Sequence, residues 1–186
     1  MKDLDFIVAL LTKDNVVSEI NGELDRLLAI IPELKQMIGF EHCNPHHHLN
    51  VWEHTLLALK HSDDQLTVRL ALLLHDIGKP YSYQQDGEIR HYRGHADKSA
   101  DMAKKILDRL GFDKEFCDSV TEIVRRHDTP LTQNDIAASP HISRLIFDVQ
   151  RCDALAHNPR YNRHRIAYIN RIIKLINQED IDSGST

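Results

Sequence analysis

The chain has 186 residues, 41% of them apolar, and a formal charge of -5 from 23 Lys and Arg against 28 Asp and Glu. That length fits one domain with a sizeable core and excludes collagen, coiled coil and a largely disordered chain, while net acidity argues against a globally basic nucleic-acid surface but leaves local patches open. Three cysteines without a CxxC pair exclude a disulfide-built secreted scaffold and point to a cytoplasmic setting, and no run approaches the 18 apolar residues of a membrane span.

Leu4, Ile7, Val8 and Leu11 recur at helical spacing over 3–12, and Val16, Ile20, Leu24, Leu27, Leu28 and Ile31 continue over 15–31. Residues 1–41 therefore read as N-terminal packing helices, the second ended or bent by Pro32. The polar connector GFEHCNPHHHLN follows, with His42, His46, His47 and His48; three adjacent histidines inside the chain are not an expression tag. The helix of 51–61 turns Val51, His54, Thr55 and Ala58 to one side, so His54 points inward. LTVRLALLLHDIGKP is apolar on nearly all sides and reads as the central helix, closed by Gly78 and Pro80. Its end delivers His75 and Asp76, a polar pair that must be satisfied by a metal or strong hydrogen bonds.

Residues 81–93 carry Asp86-Gly87 between short tracts containing Tyr81, Tyr83, Ile89 and Tyr92, the signal of a small hairpin or lid. Helical spacing resumes over 95–110, with Gly111 as C-cap, and over 113–127, where Asp113 caps the start and His127 occupies the last turn. After a TPLTQND connector, Ile142, Leu145, Ile146 and Val149 lead a helix through Asp153 to His157, where Asn158-Pro159 stops it. A last helix is predicted over 163–178 and a frayed tail over 180–186. With no repeat and no linker composition, 1–186 reads as a single all-α domain of seven to nine helices with a hairpin insert.

Four candidate ligands project from core-facing stretches: His54, the His75-Asp76 pair, and Asp153. Taken alone, a buried histidine such as His54 is most often satisfied by a backbone carbonyl, but this company favours a divalent metal. His95 and His127 lie between the pair and Asp153 in sequence and can hold a second ion, with Asp76 bridging. Such N and O ligands suit Mn, Fe, Mg, Co or Zn, and they leave positions open for water and phosphate. Lys79, just beyond the pair, is placed to steady Asp76 or bind phosphate, while His48 and Arg93 are candidate phosphate or substrate contacts. Asp148 is a more solvent-like alternative to Asp153. The remaining histidines, His42, His61, His91, His141, His157 and His164, have bland surface or packing readings.

NPHHHLNVWEHTLLAL, LLLHDIGKPYSY, HYRGHADKSA and DALAHN together resemble the HD-domain phosphohydrolase superfamily, and most nearly the HD domain of bacterial CCA-adding tRNA nucleotidyltransferases, over residues 42–158. The resemblance implies an HD-domain helical bundle with His54, His75, Asp76 and Asp153 as metal ligands. It also matches His95 and His127 to the additional histidines of two-metal members. The substrate class it implies is phosphoesters: 2',3'-cyclic phosphates, nucleotide monophosphates and dinucleoside polyphosphates. Asn50 stands where related sequences often carry aspartate. No Gly-Ser with a paired-aspartate strand precedes the HD-like region, so nucleotide addition is not expected.

The expected reaction is metal-assisted phosphoester hydrolysis by activated water, with Asp76, His95, His127 and Lys79 as the residues nearest the chemistry. Two other classes compete: a non-catalytic nucleotide or RNA binding module, and an interaction scaffold, each with a structural metal. Arg160, Arg163 and Arg165 lie in a locally positive stretch that is able to steer RNA or a nucleotide, or to meet a second subunit. Tyr81, Tyr83 and Tyr92 read as packing or lid residues before base-stacking ones.

Overall fold

The computed structural model describes residues 2–183, with side chains as far as Ile176. Among these, three short helices come first, α1 (Asp3–Leu11), α2 (Val16–Gly22) and α3 (Leu24–Ile30), followed by a 3-10 turn at Pro32–Met37. After the histidine-rich connector come α4 (Val51–Lys60), α5 (Leu66–Leu74), a 3-10 turn at Lys79–Tyr81 and the hairpin β1 (Gln84–Asp86) and β2 (Ile89–His91). The rest is helical: α6 (His95–Leu110), α7 (Lys114–Arg125), α8 (Gln133–Ala138), α9 (Pro140–Ala156) and α10 (Pro159–Ser183).

The all-helical class with a hairpin insert is as expected, and the helix count differs for identifiable reasons. The stretch 15–31 divides at Glu23 into α2 and α3. The supposed connector contains α8, because the Thr132 hydroxyl accepts from Asp135 N–H while the Asp135 carboxylate accepts from Thr132 N–H. Asn158-Pro159 stops α9 and also opens α10, since proline at the first helical position loses no intrahelical hydrogen bond. α10 continues to Ser183, and the rest of the tail expected to fray lies outside the described residues.

The core is organised around α5, whose Leu70, Ala71, Leu72, Leu73 and Leu74 are fully buried. α1, α4, α6, α7 and α9 pack around it, which is why its sequence lacks a polar face. Arg69 is buried on the same helix and satisfied: its Nη1 donates to Leu11 O at 2.7 Å and Lys13 O at 2.8 Å, tying α5 to the negative end of α1. The hairpin pairs Gln84 with His91 and Asp86 with Ile89, turning at Gly87, whose φ of +57° suits glycine. It stays at the surface, with Arg90 stacked over Phe40 and Tyr83 and its N–H donating to Cys43 O. No helix among the described residues is long and apolar enough to cross a membrane.

Candidate metal centre

Four helices deliver their histidines by the same device. In each ring Nδ1 is held by a backbone carbonyl, which leaves Nε2 free to point at the centre. His75, just past the end of α5, donates from Nδ1 to Leu72 O at 2.6 Å. His127, beyond α7, donates to Val124 O at 2.7 Å, and His95, opening α6, donates to Tyr92 O at 2.8 Å. His54 of α4 faces Ala156 O at 3.3 Å in the same way.

Asp76 stands where these rings converge. Its Oδ2 lies 3.2 Å from His75 Nε2 and 3.7 Å from His54 Nε2, and its Oδ1 lies 3.4 Å from His95 Nε2 and 3.8 Å from His127 Nε2. Asp153 of α9 closes the first side, with Oδ1 3.0 Å from His54 Nε2 and 3.7 Å from His75 Nε2. Three sets of ligand atoms able to hold a cation result among the described residues: His54, His75 and Asp76; Asp76, His95 and His127; and His54, Asp153 and His157, which shares His54 with the first.

Two observations test whether a divalent cation fits. Both carboxylate oxygens of Asp76 and the Nε2 of His75 are buried without a hydrogen-bond partner, although Lys79 Nζ lies 2.8 Å from Oδ2 as an ion pair. Such orphaned groups are costly unless something satisfies them, and a cation between them does so. The Nε2 atoms of His95 and His127 also stand 3.2 Å apart. With both Nδ1 atoms donating to carbonyls, two lone pairs confront each other, which a shared cation relieves. The donor set therefore fits one or two divalent ions.

The electrostatics agree. Burial alone would raise the Asp76 carboxyl, but His75, Lys79 and His42 outweigh it and hold Asp76 well below the usual carboxylate range. Asp153 is likewise pushed up by burial and drawn well below that range by His157, His54 and Arg165. Burial, reinforced by His75, lowers His127 to about 4, and burial lowers His54. His75 is pulled down by burial but raised on balance by Asp76 and Asp153.

The remaining candidates separate. Lys79 is 5% exposed; its ammonium meets Asp76 and donates to His42 Nε2 at 3.1 Å, so it steadies Asp76 instead of reaching outward. His48 and Arg93 are exposed, and Asp148 pairs with Arg144 away from the centre. His42 and His157, which read as bland in sequence, stand in the wall. His42 is buried, with Nδ1 donating to Leu49 O at 2.8 Å and its ring stacked on His47 at 3.7 Å. His157 Nδ1 lies 3.6 Å from Asp153 Oδ1, one helical turn away in sequence. That i, i+4 spacing was the available signal for His157; His42 offered none, because an irregular connector has no periodicity. Tyr92 donates from its hydroxyl to His42 O at 2.6 Å, a packing role. Arg165 reaches Asp153 Oδ2 at 3.4 Å from the partly exposed rim.

A helical domain with two histidine and aspartate clusters sharing one buried aspartate defines a class of metal-binding domain. The HD domain family matches residues 46–158, more than half of the chain, and the chain belongs to that family. It is similar to a CC-adding tRNA nucleotidyltransferase of Thermus thermophilus, 41% identical over 104 residues, covering 52% of this chain and 24% of the relative. A multifunctional CCA protein of Azoarcus sp. is 32% identical over 144 residues (75% of this chain, 33% of the relative). An A-adding tRNA nucleotidyltransferase of Deinococcus radiodurans is 31% identical over 121 residues (61% and 28%). The chain thus spans between about a quarter and a third of the length of these relatives.

Proposed function

We propose that the chain is a metal-dependent phosphohydrolase acting on a nucleotide or other small phosphoester, with 2',3'-cyclic phosphates among the candidate substrates. The observation that carries this reading is Asp76, buried, held as the carboxylate by His75 and Lys79, with Oδ1 lacking any hydrogen-bond partner, and facing two histidines on each side. In it His54, His75, Asp76 and Asp153 hold one divalent ion, and His95 and His127 join Asp76 around a second. When bound, such an ion supplies Lewis acidity, activating water and offsetting charge on the phosphoryl group.

The protein's own part is preorganisation. The carbonyls behind each Nδ1 fix the ring orientations, and the ion pair from Lys79 holds the Asp76 carboxylate. Arg165, partly exposed beside Asp153, adds positive charge where a phosphate would arrive, and the partly exposed Asp128 lies 3.8 Å from His95.

The test is hydrolysis of phosphomonoesters, 2',3'-cyclic phosphates and dinucleoside polyphosphates with Mn, Mg, Co and Zn supplied in turn. Asp76→Ala is expected to lose more activity than the roughly 10–100-fold that removing a ligand's supporting partner costs. Activity retained by that variant would overturn the assignment. Metal binding without turnover of any of these compounds would favour a non-catalytic nucleotide or RNA binding module with a structural metal.

A further inference from the structure

Between Pro159 and Ile176, α10 carries Arg160, Arg163, Arg165, Arg171 and Lys174 and no acidic residue. Helical periodicity sorts the exposed side chains into two lanes. Tyr161, Tyr168 and Leu175 repeat every seven residues, two turns apart, and are 55%, 51% and 47% exposed. Arg160, Arg163, Arg171 and Lys174 form the neighbouring lane, also exposed, and none of them makes an ion pair among the described residues. That is unlike the helices across the molecule, where Arg109 pairs with Glu33, Lys114 with Asp118 and Arg125 with Asp97. Four cations without an ion pair among the described residues, on one face of a net acidic chain, form a local field that attracts an anionic partner.

The face begins at the metal centre. Tyr161 packs edge-on against His46 of the connector, with ring centroids 5.0 Å apart, and Arg165 on the inner edge of the same helix reaches Asp153. From Tyr161 to Leu175 the lanes run about 21 Å at 1.5 Å per residue. Cations at helical pitch beside exposed aromatic rings combine a path for a phosphate backbone with surfaces on which unstacked bases rest. An acidic protein would use the charges but has no need of the tyrosine lane.

From this juxtaposition we infer that the exposed face of α10 is a docking surface for a single-stranded polynucleotide, leading it to the mouth of the metal centre. This adds a partner to the phosphohydrolase reading, and its test needs no turnover. Fluorescence anisotropy of an end-labelled, mixed-sequence RNA oligonucleotide, beside the same sequence as single-stranded DNA and as duplex, measures binding to the full chain across a salt series. Single strands are expected to bind more tightly than duplex, with affinity falling as salt rises. Arg171→Glu and Lys174→Glu are each expected to weaken binding and to reduce the salt slope by about 1. Tyr168→Ala is expected to weaken it about tenfold, and Tyr168→Phe to retain it. Melting temperature and Mn titration are expected to be unchanged in these surface variants, so lost binding is not lost folding.

No binding at low salt, a preference for duplex, or equal binding by Tyr168→Ala and Arg171→Glu would each overturn the inference. So would a change in oligomeric state in those variants, which would show that a second copy covers the face. Absent turnover of small phosphoesters with oligonucleotide binding intact would count against the enzyme reading alone.

Discussion

A Cβ placed on Gly78 would lie 2.7 Å from Ser99 N and 2.8 Å from His95 O, so the start of α6 lies directly on the glycine. Gly78 has a φ of -82°, which any residue adopts; the demand is for space, and the sequence, which offered Gly78 as a helix-ending residue, did not show it. Its N–H donates to Ser99 Oγ at 2.9 Å, and this close approach brings His95 within 3.4 Å of Asp76. Gly78→Ala must push the two segments apart. It is expected to destabilise the fold by roughly 1–3 kcal/mol, as overpacking does, and to weaken metal binding at the His95 and His127 side. Urea denaturation and metal titration check this; unchanged values for both would contradict the role given to the contact. His42 makes the same point about legibility. Its neighbour in the site, Lys79, lies 37 residues away, so no local pattern announced the pair.

At the scale of elements, helices with long apolar periodicity were legible, and short ones held by caps were not. α8 is six residues long and rests on the Thr132 and Asp135 capping box, with Arg126 Nη1 donating to Asp135 Oδ1 at 2.9 Å. α4 shows how a cap also serves the site. Asn50 Oδ1 accepts from Glu53 N–H at 3.0 Å, and Asn50 N–H donates to Glu53 Oε2 at 3.3 Å, fixing the first turn of the helix that carries His54. The Asn50 side chain is thus turned toward the helix. Asn50→Ala is expected to cost about 0.5–2 kcal/mol, whereas Asn50→Asp keeps an acceptor at the positive end of the helix and is expected to be near neutral. Thermal melts of the two variants separate these outcomes, and equal losses would show that the cap is not what matters.

Across the whole molecule the centre couples stability to protons and metal. In the metal-free chain, His157 is lowered to about 4, chiefly by burial, and is neutral at pH 7. A histidine with a lowered folded-state pKa costs stability as pH falls from its unfolded value near 6.5 toward 4, because the unfolded chain takes up the proton first. His157→Gln is expected to make that acid decline shallower, measured as melting temperature from pH 7 to pH 4.5 without metal; an unaltered slope would remove His157 from the account. A divalent ion at 100 times its Kd adds about 2.7 kcal/mol, which at roughly 2–4 °C per kcal/mol is a rise of several degrees, reversed by chelation. Protons compete for the same nitrogens, so that rise is expected to shrink below pH 6.

The sequence by itself determined the all-helical class, the burial of α5, and the inward direction of His54, His75, Asp76 and Asp153, because helical spacing and a continuous apolar run are local properties of the chain. Only the tertiary structure decided which lone pairs meet. His54 and Asp153 are 99 residues apart in sequence yet meet at 3.0 Å between Nε2 and Oδ1, and that proximity comes from how α4, α5 and α9 pack. The same packing brought His42 and His157 into the wall and left the tyrosine and arginine lanes of α10 uncovered, since burial depends on neighbours that no local pattern names.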